Sequence, residues 1–468
     1  MSEEEKEILD LVRRYEDMVD NNIPAWFDSM EWVDIIDYYE DNEQDDRLEQ
    51  ATLRAYKKFP DDEDIVVRMA NMYLNKEEYK RAENLIKDYI KEHPSEELRG
   101  LLAGVYVESG THLKKAEQIL KELLLEESEL DPYYSYLLAR IYIEKSKFAQ
   151  AEKLLRNVVK IHYDDWALMM NYVKCVEDKQ VANTILRTIR SIVNKNPFED
   201  KVWVALAFAY YESYHIDKAL EAINYAIAID SDEETRHALK ANIVVALGKD
   251  EEYIKESLLA AEYATDKYTY YESIGKAYLN KKDYKNASIY YKKALEHEKF
   301  GLELPESNLG LVECYLMQNQ ITMANRQLDK AIAMQYPPSY YLGFAERISS
   351  LGFSYISEDI LAELTNSDDI LISMLATVSL AYIKAETDRL LEGIKLLEDT
   401  IKDYNDIDSL YYALLDLSCR DSKYIAYTRK ALQYLIAQKG YNKNIRDNFP
   451  SLLKNGNYLK CLKELINE

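Results

Sequence analysis

The chain has 468 residues and carries 59 Lys plus Arg against 84 Asp plus Glu, a formal net charge of −25 at pH 7. Gly numbers 12 and Pro 9, too few turn formers for a β-rich protein of this length, while 47% hydrophobic and 31% charged residues exclude wholesale disorder. So acidic a chain is a poor general nucleic-acid binder, because phosphate contacts need Lys and Arg.

The sequence opens Met-Ser-Glu-Glu-Glu-Lys-Glu, with neither a basic start nor an apolar run after it. No stretch reaches ~18 uninterrupted apolar residues, so no membrane span is expected, and the expected location is the cytoplasm. Cys175, Cys314, Cys419 and Cys461 are scattered with no C-x-x-C pair. That spacing favours buried thiols in a reducing compartment over a zinc site or a disulfide framework.

In chain order, residues 4–20 read as an amphipathic helix. A spacing then begins that recurs. Trp32, Ile35, Ile36 and Tyr39 precede Ala55 and Pro60; Val66, Met69, Ala70 and Tyr73 precede Ala82, Ile86 and Pro94. Leu102, Ala103 and Tyr106 precede Ala116 and Leu120, and Leu138, Ala139 and Tyr142 precede Ala151, Leu155 and Val158. The pattern is weaker over 166–199 and 234–267. Between them, Trp203, Leu206, Ala207 and Tyr210 precede Ala219, Ile223 and Ala226. After them, Tyr271, Ile274, Gly275 and Tyr278 precede Ala287, Tyr291 and Ala294 at identical spacings. Leu311, Val312 and Tyr315 precede Ala324, Leu328 and Ala331. Pro337-Pro338 is the strongest internal breaker, read either as an ordinary inter-repeat turn or as a bend or domain boundary. Beyond it Leu375, Val378 and Tyr382, followed by Leu396 and Leu397, look like one divergent copy. Tyr458 to Ile466 reads as a closing helix.

These residues resemble the tetratricopeptide repeat, a helix-turn-helix unit of ~34 residues. The set of copies resembles a multi-repeat scaffold of the bacterial type. The resemblance implies an all-α fold, a right-handed superhelix of about 12–13 units. The expected layout is a capping helix at 1–28, a repeat array at 29–338, and divergent repeats with a cap at 339–468. Short helices of this kind are marginal alone. Small residues let paired helices approach, and stacking of neighbours buries the apolar faces.

No catalytic or cofactor motif rises above background. There is no H-E-x-x-H, no G-x-S-x-G, no phosphate-binding Gly loop and no dinucleotide fingerprint. None of the six histidines lies three or four residues from another. The chain is therefore read as a non-enzyme without cofactor or metal. Its expected function is that of a scaffold or adaptor holding a peptide, helix or protein partner. The alternatives are a peptide-responsive regulatory sensor and, against the charge, an RNA-binding helical repeat.

The resemblance also implies that first helices line the concave face. Carried onto this sequence, the central groove comprises Tyr133, Tyr136, Arg140, Lys174, Phe208 and Tyr211. Aromatics give contact area at small entropy cost, and cations give orientation. Packing of the same rings on adjacent helices is the competing explanation. The carboxylate clamp of some family members, built from Lys, Asn and Arg, is absent. Asn71 fits one position, but Val67, Leu101, Tyr133 and Leu137 stand where the others are needed.

Charge is uneven. Residues 1–64 hold 22 acidic and 7 basic residues, a net −15. On the resemblance, the inner positions of the first repeat would include Asp34, Asp37, Glu40 and Asp41. They read either as a docking end for a basic partner segment or as a solubilising cap. The 41 tyrosines include many adjacent doublets, in which one ring can be core while its neighbour faces outward.

Overall fold

The computed structural model describes residues 3–126, 131–297, 304–438 and 441–467. Among them every regular element is helical. A leading helix, α1 (Glu3–Asp20), is followed by twelve helix pairs. The first five are α2 (Ser29–Asp41) with α3 (Asp45–Lys58), α4 (Glu63–Asn75) with α5 (Tyr79–Glu92), α6 (Glu96–Glu108) with α7 (Leu113–Glu126), α8 (Pro132–Glu144) with α9 (Phe148–Ile161), and α10 (Trp166–Lys174) with α11 (Lys179–Lys195). Next come α12 (Asp200–Glu212) with α13 (Ile216–Ile229), α14 (Glu234–Ala246) with α15 (Asp250–Tyr263), α16 (Tyr268–Asn280) with α17 (Tyr284–Glu296), and α18 (Pro305–Met317) with α19 (Ile321–Ala333). The last three pairs are α20 (Pro338–Ser350) with α21 (Ser354–Leu364), α22 (Ile370–Glu386) with α23 (Leu390–Asp403), and α24 (Asp408–Ser418) with α25 (Ile425–Leu435). Two further helices, α26 (Tyr441–Asn448) and α27 (Gly456–Asn467), complete the described chain. This is the expected tandem of helix-turn-helix repeats. Two compact units, 1–256 and 257–468, divide within α15. Pro338 opens α20 at its first turn, where proline's missing N–H costs nothing.

Residues 1–256 show how the spacing makes the fold. The first helices start at side-chain caps. Asp28 forms a capping box with Glu31, and Asp62, Ser95, Asp131 and Asp165 each accept the backbone N–H three residues on. Each cap satisfies an N–H that the helix cannot. The helices end alike. The carbonyls of Tyr39, Tyr73, Tyr142 and Tyr210 accept the N–H five residues later, from Gln44, Glu78, Lys147 and His215. This closure puts the residue before each of those donors in the left-handed region. Glu43, Glu77, Ser146 and Tyr214 have φ of 53°, 58°, 54° and 60°, where glycine is the comfortable residue.

Between the helices of a pair, Ala70, Ala103, Ala139 and Ala207 on the first helix and Ala82, Ala116, Ala151 and Ala219 on the second are fully buried. They belong to one apolar core running from Val66 to Ile243. A second core, around Tyr15, Phe27, Trp32 and Tyr39, joins α1 to the first repeat through edge-to-face rings. The joint between successive repeats is polar as well as apolar. The residue after the second-helix alanine is glutamate in three repeats: Glu83, Glu117 and Glu152. Each pairs with a cation one turn on, Lys87, Lys121 or Arg156. Lys87 and Lys121 also lie 5.7 Å from the ring centres of Tyr106 and Tyr142, on the first helix of the next repeat. Tyr172 extends the series by donating to Glu152 at 3.1 Å.

Residues 257–468 repeat these devices. Tyr278 and Tyr315 accept from Asp283 and Gln320, and Lys292 lies 5.2 Å from the Tyr315 ring centre. Gly275 has a specific cause. A Cβ there would stand 2.8 Å from the Tyr291 ring, and one on Gly310 would stand 2.6 Å from the same ring. The ring is lodged between two bare backbones. Two cores, around Phe344 and around Leu414, fill this unit.

Three outcomes follow. Gly275→Ala cannot push the Tyr291 ring aside, because Gly310 backs it. Overpacking of about 1–3 kcal/mol exceeds the gain of up to about 1 kcal/mol in helix propensity, so urea denaturation should show a net loss. Ser146→Gly should raise the unfolding free energy read by urea denaturation, by about 0.5–1 kcal/mol, because relief at positive φ outweighs glycine's extra unfolded entropy. The third outcome is set by pH. Lys87 and Lys80 hold Glu83, Lys121 and Lys145 hold Glu117, and Arg389 with Lys384 holds Glu358, each at a pKa of about 2 against an ordinary 4.5. A folded pKa below the unfolded one gives stability that is fully present above ~4.5 and lost as pH falls towards ~2. Urea midpoints should therefore decline across that window, and Glu358→Gln should flatten the decline for residues 257–468.

Candidate functional site

In residues 1–256 the first helices of successive pairs lie side by side. A cavity of about 370 Å³ opens on α4, α6 and α8, lined by Val67, Asn71, Glu97, Leu101, Asp131, Tyr133 and Tyr134. Its shape comes from two glycines one turn apart on α6. A Cβ on Gly104 would stand 2.8 Å from the Tyr133 hydroxyl, and one on Gly100 would run into the Tyr134 ring. The bare backbone of α6 therefore receives the tyrosine doublet of α8. Tyr133 nevertheless keeps 47% of its surface exposed. The charged lining residues, Glu97 and Asp131, are both acidic. Asp131 also caps α8 by accepting the Tyr134 N–H at 2.9 Å.

The other residues singled out from the sequence fall into separate contacts. The Arg140 guanidinium lies 5.7 Å from the Tyr136 ring centre and is engaged by both oxygens of Glu108. Asn171 on α10 donates to the Tyr136 hydroxyl at 3.4 Å. Phe208 meets Trp166 edge-on at 6.5 Å between centres. Trp166 borders a second hollow of about 240 Å³ with Lys201, Val204 and Thr235. Lys174 is exposed and Tyr211 half-buried. Tyr133 thus faces the α4–α6 side, whereas Phe208 faces α10.

At the acidic end, Asp37 takes a two-pronged bond from Arg68 at 2.7 and 2.6 Å, fastening α2 to α4. Asp34, Glu40 and Asp41 are exposed. Partial desolvation, then the crowding charge of Asp37, pushes the Asp34 carboxyl above its usual range. Sequence reasoning passed over two apolar neighbours, Trp26 and Met30, which are 68% and 77% exposed. The signal for Met30 was available. Counting back from Ile36 at the position of Ala70 puts Met30 at the same inward position as Tyr133.

Elsewhere, a hollow of about 680 Å³ lies against α5 and the end of α6, where Lys80 pairs with Glu83 and Arg81 with Glu78. The four cysteines are buried and unpaired, and burial pushes the thiols of Cys175, Cys314 and Cys419 up to about 12. Such thiols are inert at neutral pH. Among the described residues no group of three or more His, Cys, Asp or Glu is placed to hold a metal ion. No described helix is long and apolar enough to cross a membrane.

Residues 35–244 match the family ChAPs, the Chs5p-Arf1p-binding proteins. No curated protein matches the chain in sequence. Among solved structures it is similar to a tetratricopeptide repeat protein from Parabacteroides merdae, at 15% identity and a TM-score of 0.40, over 53% of this chain and 98% of that one. It is also similar to the Cut9–Hcn1 assembly of APC/C, at 12% identity and a TM-score of 0.32, over 87% of this chain and 98% of that one. YrrB, a TPR protein with an unusual peptide-binding site, is similar at 18% identity and a TM-score of 0.31, over 40% of this chain and 95% of that one. With its helix pairs, its paired small residues and its recurrent tyrosine-closed turns, the chain is a tetratricopeptide-like helical repeat protein.

Proposed function

We propose that the chain is a non-enzymatic protein-interaction scaffold, and that the first-helix faces of residues 1–256 hold a segment of a protein partner as the concave face of a superhelix. The observation that carries this reading is the open cavity on α4, α6 and α8, with Tyr133 half-exposed at its wall. An aromatic anchor beside a partly apolar hollow is a common seat of binding energy in a protein interface. The match of residues 35–244 to Chs5p-Arf1p-binding proteins supports a protein partner. It covers the helices that build the cavity. Four buried, unpaired thiols suit a reducing compartment such as the cytoplasm.

The test is affinity capture from native lysate, read by mass spectrometry, with wild type beside two double variants. Tyr133→Ala/Tyr136→Ala probes the α8 side and Phe208→Ala/Tyr211→Ala the α12 side, with circular dichroism confirming helix content. A partner retained by wild type and lost from the α8 variant, at ≥ 2 kcal/mol for a true anchor, supports the reading. Retention of every partner by both variants would overturn it.

A further inference from the structure

We infer that the cavity on α4, α6 and α8 seats a Lys- and Arg-rich segment of a partner protein, one large apolar side chain of which inserts between Val67, Leu101 and Tyr133. The inference rests on the function proposed above and names the chemistry of the partner.

The wall is apolar where it is deep and acidic where it is open. Leu101 is 8% exposed and Val67 half-buried, while Glu97 is exposed at the rim. At about 370 Å³ the hollow falls at the small end of ligand pockets, which run from ~300 Å³ upward, and suits a single side chain with its backbone. Asn71 at its edge offers both an amide donor and an acceptor to that backbone.

Charge then selects the segment. No Lys or Arg lines the hollow. The cation nearest in sequence on α4, Arg68, is spent on Asp37. Beyond it α2, which packs on α4, presents Asp34, Glu40 and Asp41 to solvent. Asp34 sits in the field of Asp37, Asp28 and Glu31, which Arg68 offsets in part. An acidic ligand would meet Glu97 and Asp131 as the only charged residues of the lining. A basic segment relieves the crowding instead. Its approach is steered by the surplus of residues 1–64, which carry more than half of the net charge.

The experiment is fluorescence anisotropy on the full chain with three labelled dodecapeptides. One is Lys-rich with a single central Leu, the second replaces that Leu with Ser, and the third replaces every Lys with Glu. The first should bind, the Ser peptide about tenfold or more weaker through the lost apolar burial, and the Glu peptide not measurably. Glu97→Lys/Asp34→Lys should weaken the first peptide at least about tenfold. Asp217→Lys/Glu221→Lys, which changes net charge equally at exposed positions of α13, should shift it less than about twofold. Circular dichroism keeps misfolding separate from lost affinity. Equal weakening by both charge variants, equal binding of the Leu and Ser peptides, or binding of the Glu peptide would each overturn the inference. If a captured partner still depends on Tyr133 in that case, the scaffold function stands and only the chemistry assigned to its partner falls.

Discussion

Close approach of two helices at a pair of small residues is the constraint on which the rest of the chain depends. Ala70 with Ala82, Ala139 with Ala151 and Ala207 with Ala219 are all fully buried. Once paired helices touch there, their larger side chains have nowhere to go but outward, onto the next pair. Tyr106 and Tyr142 are therefore placed to meet the preceding repeat. Their rings close over Lys87 and Lys121, and a polar joint forms at a surface that apolar packing alone would leave indifferent to register. Stability then builds from neighbour to neighbour.

The same geometry explains why a binding surface lies on the first helices. A first helix gives one flank to its own partner and another to the preceding pair, which leaves one face over. On α6 that face carries Gly100 and Gly104, and the neighbouring helix supplies rings to lie across them. On α2 it carries Met30, Asp34 and Glu40. The surface thus grades from acidic on α2 to aromatic on α8. A partner that uses both the carboxylates of α2 and the rings of α8 must span several repeats.

Most of the fold was legible in the sequence because it follows from local spacing. The Trp203–Tyr210 and Tyr271–Tyr278 segments announce helices by period and pairs by their small residues. The helix boundaries rest on caps such as Asp62 and Ser95, which the same register places. The site was legible only in part. Tyr133 was identified by its inward position, but its dependence on Gly104 of another repeat is a contact across some thirty residues, which no local pattern encodes. Arg140 looked like a free cation, yet Glu108 on the preceding first helix occupies it. Whether a charge is spent or available depends on its spatial neighbour. The glutamate-to-cation pairs on second helices were readable at a constant offset from alanine, and the Tyr rings that meet them were already known. The link between them required the stacking geometry.

The joint built from a second-helix cation and the next repeat's tyrosine has a consequence for how such a chain can grow. Every unit that carries both halves presents a ring on its first helix and a cation on its second, as the repeat holding Tyr106 and Lys121 does. A tandem duplication of that unit in the gene would create a new joint already furnished on both sides. Excision of the unit would likewise bring Lys87 against Tyr142, a matched pair. Length can therefore drift by whole repeats without redesigning an interface, whereas a break inside a repeat separates a ring from its cation at once.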